Sequence, residues 1–420
     1  VWGCILSLGL QLLGPFVLSP VDPPKITFTA DDSYRRALES LNRNTNFRRL
    51  GEFSASGCLL LLFLYSLCYY LRRGKSKVNV PMMSWNRLRL GMDGDGEELT
   101  AQETALYDRQ IRVWGADAQR RLSKAHVLVY GMKGTVAENI VLAGVGSLTL
   151  VDDRVATEEA LSSNFLIPPD ENVYSGKTLA ELCCNSLKDF NPMVRVSIEK
   201  GDLSSFNVEF FSKFDVVVLS CCSLSSKKLA NDKCRKLSKR VAFYAVDCRD
   251  SCGEIFVDLQ DYKYSKKKLD ETIECDLKYP SFEDALSVPW RELHRRMPKL
   301  YFAMRVIEKF EEAEGRSAGE VSIADLSGVL KLKKELCTAQ SLNESHVPDT
   351  LLERLVTNAT EFPPVCAIIG GILGQEVIKA ISGKGDPLKN FFFFDAFDGK
   401  GIIEDISSNI IGDVISRTWR

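Results

Sequence analysis

The sequence predicts an α/β protein: a doubly wound, mostly parallel sheet with a small antiparallel insertion. Three observations carry that reading. From Ala125 onward short β-rich runs alternate with helical segments, the runs are continuously apolar rather than alternating, and a glycine turn leads from the first run straight into a helix.

AHVLVYG reads as a strand, GTVAENIVLAG as a short helix closed by Gly144, and SLTLVDD as a second strand. SGKTLAELCCNSLKDF is then a helix, MVRVSI and FDVVVLSCC are strands, SSKKLANDKCRKLSK is a helix and VAFYAVDC a further strand. Beyond Gly253 the pattern changes, and EIFVDLQDYKY and KLDETIECDL read as antiparallel strands of an insertion over 254–300. A helix near Lys299 to Glu314 and a polar helical stretch come next. PPVCAIIGGILGQEVIKAIS is a buried core or interface helix in which Gly370 and Gly371 allow close packing, and the strand NFFFFDAFDG resumes the sheet. The expected organisation is a leader over 1–91, the first part of the doubly wound domain over 92–253, the insertion over 254–300, and the helical segment with the rest of the fold over 301–420.

The leader differs in character from the remainder of the chain. It holds two apolar stretches around a basic, structure-poor middle. WGCILSLGLQLLGPFVL lacks the positive start of a signal peptide, and CLLLLFLYSLCYYL is shorter than the roughly 20 residues that cross a bilayer as a helix. A non-native or disordered segment is therefore expected, with a signal or membrane-surface segment, or a genuine domain, as the alternatives and Met92 opening the functional protein.

Composition excludes several classes. With 54 basic and 56 acidic residues and a formal net charge of -2, no broad positive field is present to hold nucleic acid. Thirteen cysteines without a single C-x-x-C pair, and only His126, His294 and His346 beside them, give neither a disulfide scaffold nor a metal site. Reduced, buried core thiols are the expectation.

The glycine turn GMKGTVAE contains Gly131 and Gly134, and Asp152 stands at the end of the second strand, where an acid binds a ribose hydroxyl in nucleotide-binding folds. Lys133 and Val136 occupy positions where glycines let a backbone approach phosphates. The pocket therefore reads as degenerate, which disfavours a hydride-transfer enzyme.

ALYDRQIRVWGADAQRRL, GMKGTVAE, LAGVGSLTLVDD, SNFLIPPDENVYSGK, DFNPMVRV, PPVCAIIGGILGQEVIKAIS and FFFFDAFDGKG occur in that order. Together they resemble the small, non-cysteine subunit family of SUMO-activating enzymes, in its plant form, within the ThiF-MoeB-HesA adenylation superfamily. The resemblance covers Met92 to about Ile406 and implies a Rossmann-like pseudo-adenylation fold. It also implies a heterodimer with a large catalytic subunit that holds ATP, magnesium, zinc and the thioester cysteine, with SUMO as the protein substrate and the nucleus, and also the cytoplasm, as its location. The chain itself would bind no cofactor and no metal, since SCCSLSS at Ser220 to Ser226 lacks the family's magnesium-binding acid. By the same resemblance Arg109 reaches across the dimer into the partner's ATP site, with Arg112 behind it. Read from the helix alone, both are the solvated side of a segment whose apolar side is Leu106, Ile111 and Val113. Family members carry about three more residues between Glu138 and Asn139. The alternatives are the regulatory subunit of the neddylation-activating enzyme, which normally has a larger insertion, and a scaffold that takes no part in catalysis.

Overall fold

The computed structural model describes residues 99–407, apart from 133–136, 158–159, 161–163, 165, 168–169, 269–270 and 358–360. The leader expected over 1–91 lies outside the described residues, as do Lys133, Gly134 and Val136 of the glycine turn.

Three short helices come first: α1 (Ala101–Leu106), α2 (Asp108–Trp114) and α3 (Ala116–Lys124). Thr100 starts α1 through a reciprocal cap, its Oγ1 accepting the Glu103 N–H at 3.1 Å while Glu103 Oε2 accepts the Thr100 N–H at 2.9 Å. Strands and helices then alternate: β1 (His126–Tyr130), α4 (Ala137–Leu142), β2 (Ser147–Val151), α5 (Glu171–Tyr174), α6 (Leu179–Phe190) and β3 (Arg195–Ile198). They continue with α7 (Val208–Phe211), β4 (Val216–Ser220), α8 (Leu224–Arg235) and β5 (Ala242–Arg249). These five strands pair in parallel in the order β3-β2-β1-β4-β5. Their side chains feed both faces: Val127 and Val129 join one core, Leu128 the other. That is why the runs are continuously apolar.

The second half comprises β6 (Cys252–Asp258), β7 (Asp261–Lys268), β8 (Glu271–Lys278), α9 (Phe282–Ser287), α10 (Lys299–Ala313), α11 (Leu326–Ala339), α12 (Asp349–Thr357), α13 (Pro363–Ser382), β9 (Phe391–Asp395) and β10 (Lys400–Glu404). Here the structure corrects the sequence reading. β6 is not part of the insertion: it pairs antiparallel with β5 and β9, extending the main sheet to eight strands in the order β10-β9-β6-β5-β4-β1-β2-β3. Only β7 and β8 stand apart, as a two-stranded hairpin. Although EIFVD carries two acids, Glu254 and Asp258 are 2% and 0% exposed. They are buried because they are paired, Glu254 with Arg305 and Asp258 with Arg235.

α13 lies across α3, α4, β5 and β6. Of the glycine pair in it, Gly370 is buried and a Cβ on Gly371 would meet nothing within 4 Å, while at Gly374 a Cβ would sit 2.8 Å from that of Asn139 on α4.

Candidate functional site

α2 turns a different face inward from the one its aliphatic residues suggest. Tyr107, just before it, and Gln110 and Trp114 are buried at 2%, 1% and 8% exposure, while Leu106 and Val113 stand 42% and 49% exposed. The buried positions follow the i, i+3, i+7 spacing of a helical stripe, with a glutamine inside it. Trp114 Nε1 donates to Gln119 Oε1 at 3.0 Å, and Lys384 Nζ donates to the Trp114 carbonyl at 2.9 Å, closing the C-terminal end of the helix.

Arg109 and Arg112 both point outward. Arg112 forms an ion pair with Asp108 one turn back, Nη2 to Oδ2 at 2.9 Å, in a side chain 76% exposed. Arg109 has no hydrogen bond or ion pair among the described residues. The outer face of the arm is therefore a free guanidinium between two exposed aliphatic side chains, carried on a helix whose inner face is held by polar contacts.

The nucleotide-like crevice lies at the carboxyl ends of β1, β2, β4 and β5. Gly131 is needed there for a structural reason. Its φ is +84°, and a Cβ would sit 2.2 Å from the Ser220 carbonyl oxygen, so β4 passes too close for any side chain. Asp152 is 4% exposed and both its oxygens are taken: Oδ2 accepts the Met132 N–H at 2.7 Å and Arg154 Nη2 at 2.6 Å, while Oδ1 accepts Arg154 Nε at 2.9 Å. A ribose hydroxyl would have to displace Arg154 or open the turn.

Deeper in, between the ends of β4 and β5 and helix α10, the crevice is filled from within. Lys227 Nζ is clamped between Asp247 Oδ2 at 2.5 Å and Glu308 Oε1 at 2.6 Å. Arg305 links Glu308, at 2.7 Å, to Glu254, also at 2.7 Å, and Arg249 binds Glu311 at 2.5 Å. The space left beside Cys221, Cys222, Lys227 and Arg249 is about 20 Å³, room for about one water. Burial raises Asp247, and raises Glu254 to about 7. It would raise Glu308 too, but Arg305 and Lys227 hold that carboxyl below its ordinary value. Burial would lower Lys227, and its two carboxylates more than offset that. Neither a nucleotide nor a magnesium ion fits this cluster: Asp247 and Glu308 are already bound to a buried ammonium, and the volume is that of a solvent molecule. Among the described residues, no three His, Cys, Asp or Glu side chains come together to hold a metal ion. Burial also pushes the Cys222 thiol up to about 12, leaving no thiolate there to act as a nucleophile.

The structure thus separates the residues singled out from the sequence. Arg109 and Arg112 share the outer face of α2, whereas Gly131 and Asp152 belong to the crevice and serve the turn itself. Gln110 and Gln119 on the arm, Asn191 at the end of α6 beneath it, and Lys227, Asp247, Glu254, Arg305 and Glu308 in the cluster, were not anticipated.

The ThiF family profile matches residues 107–408. SUMO-activating enzyme subunit 1A of Arabidopsis thaliana is 72% identical over 318 residues, covering 75% of this chain and 99% of that protein. SUMO-activating enzyme subunit 1 of Danio rerio is 33% identical over 344 residues, covering 74% of this chain and 97% of that one. A solved structure of selenomethionine PaaA is similar at TM-score 0.47 and 17% identity, over 75% of this chain and 87% of that chain, too loosely to bear on function. The chain belongs to the ThiF family, and within it to the SUMO-activating enzyme subunit 1 branch rather than the neddylation branch.

Proposed function

We propose that this chain is the regulatory small subunit of a SUMO-activating enzyme, pairing with a large catalytic subunit that holds ATP and magnesium. In that reaction the C-terminal carboxylate of SUMO attacks the α-phosphorus of ATP. A P–O bond forms and the bond to the departing pyrophosphate breaks; a cysteine thiol of the partner then attacks the acyl carbon, forming the thioester and releasing AMP. This chain contributes Arg109. Negative charge grows on pyrophosphate as it leaves, and a guanidinium supplied from across the dimer stabilises it through two parallel hydrogen bonds. Arg112, paired to Asp108, plays a weaker part. On this reading the chain alone is inactive and the heterodimer acts in the nucleus and the cytoplasm.

The observation that carries this reading is the exposed Arg109 with no partner among the described residues, set between Leu106 and Val113 on a firmly docked helix. A scaffold without a catalytic part has no use for such a group. The test is ATP–pyrophosphate exchange by the reconstituted heterodimer. Arg109→Ala should assemble normally by gel filtration yet exchange about a hundredfold to a thousandfold more slowly, and Arg109→Lys should recover only part. Wild-type exchange by an assembled Arg109→Ala heterodimer would leave only the scaffold.

A further inference from the structure

The arm that carries Arg109 is fastened to the far end of the helix that comes after the glycine turn. A helix leaves its last carbonyls without intrahelical partners, and when that end is buried something must supply donors. At the end of α4 three side-chain amides do so, one per carbonyl. Asn191 Nδ2 donates to the Val141 oxygen at 2.9 Å, Gln110 Nε2 to Leu142 at 2.9 Å and Gln119 Nε2 to Ala143 at 3.1 Å. The three residues are 4%, 1% and 0% exposed. Asn191 Nδ2 also donates to the Tyr107 hydroxyl at 3.0 Å, and the Tyr107 ring lies so close to Gly144 that a Cβ there would be 2.5 Å away.

Gln110 is the neighbour of Arg109, and successive residues lie about 100° apart around a helix. An amide locked onto the Leu142 carbonyl therefore fixes the rotation of α2, and with it the direction in which the Arg109 side chain leaves the surface. Gln119 sets the next helix, α3, against the following carbonyl, so α2 cannot slide along its axis without breaking two buried hydrogen bonds.

We propose that Gln110, backed by Gln119 and Asn191, is a positioning residue for Arg109: the amide clamp on the end of α4 aims the guanidinium that crosses to the partner. This gives α4 a use that needs no nucleotide at its other end. The proposal rests on the in-trans reading of Arg109.

The experiment is a double-mutant cycle on the reconstituted heterodimer, read by ATP–pyrophosphate exchange with gel filtration as the assembly control. Gln110→Met keeps the length and loses the donor. It should slow exchange about tenfold when Arg109 is present, a loss in keeping with one buried hydrogen bond, and add nothing in an Arg109→Ala background. Equal slowing in both backgrounds, or none in either, overturns the proposal. An unchanged rate for Arg109→Ala itself would instead sink the in-trans reading, and the proposal with it. If Gln110→Met does not assemble, Tyr107→Phe replaces it, losing only the oxygen to which Asn191 donates. About threefold slowing that depends on Arg109 is expected, and slowing that persists without Arg109 overturns the proposal.

Discussion

The helical arm and the crevice beyond β4 and β5 handle charge in opposite ways. On the arm the Arg109 guanidinium lies on the outer surface without a partner among the described residues, and neutral amides do the holding beneath it. In the crevice Lys227, Arg249 and Arg305 face Asp247, Glu254, Glu308 and Glu311, and each cation is paired inside the chain. On the proposed reading, the difference separates a surface that serves another molecule from a buried cluster whose charges are matched within the chain. Charge offered to a partner must stay unpaired until the partner arrives, whereas charge in a core is stable only when already matched.

The sharpest way to break that contrast is to remove the central cation. Lys227→Met strands Asp247 and Glu308 and should cost about 3 to 5 kcal/mol of stability, measured by denaturant unfolding. A cost near that of an exposed ion pair would mean that the crevice is open to water. Reopening is also tested directly: calorimetry of the isolated chain with ATP and magnesium should show no binding, and a micromolar dissociation constant would contradict the closed pocket.

A subtler effect belongs to Glu254. Four carboxyls face three cations, and Glu254, held at about 7 by burial, keeps a proton that the unfolded chain has already lost at lower pH. Between its ordinary value and about 7 the folded state binds more protons than the unfolded state, so stability falls as pH rises through that window, by up to about 1.4 kcal/mol per pH unit. Glu254→Gln mimics the protonated form, so its melting temperature should gain on wild type steadily from pH 5 to pH 7. A constant difference would show that Glu254 does not titrate there. The smallest effect is expected at Arg112→Ala, which removes an exposed pair within one helix and should change stability by less than about 0.5 kcal/mol.

The parallel strands were legible because burial on both faces writes itself as an unbroken apolar run, as in VVVLS. β6 was harder to place: Glu254 and Asp258 make it look solvated, and their partners Arg305 and Arg235 lie far away in sequence. The charge cluster is hidden for the same reason, since Lys227, Asp247 and Glu308 come from three separate elements and each alone resembles a surface residue. On α2 the outward Arg109 was legible through resemblance, but the inward face was not. Leu106 and Val113 attract attention as apolar residues, while the residue that holds the helix is a glutamine. A polar side chain within an i, i+3, i+7 stripe was the available signal.

The clamp on α4 also decides how the two halves of the arm respond to ionic strength. Amide-to-carbonyl bonds between neutral, buried groups feel little of the ion atmosphere, whereas a guanidinium that meets phosphate across a wet subunit boundary, as proposed for Arg109, is screened over about 10 Å at 0.1 M salt. Raising the salt should therefore weaken what Arg109 does to its target while leaving untouched the direction in which Arg109 is aimed.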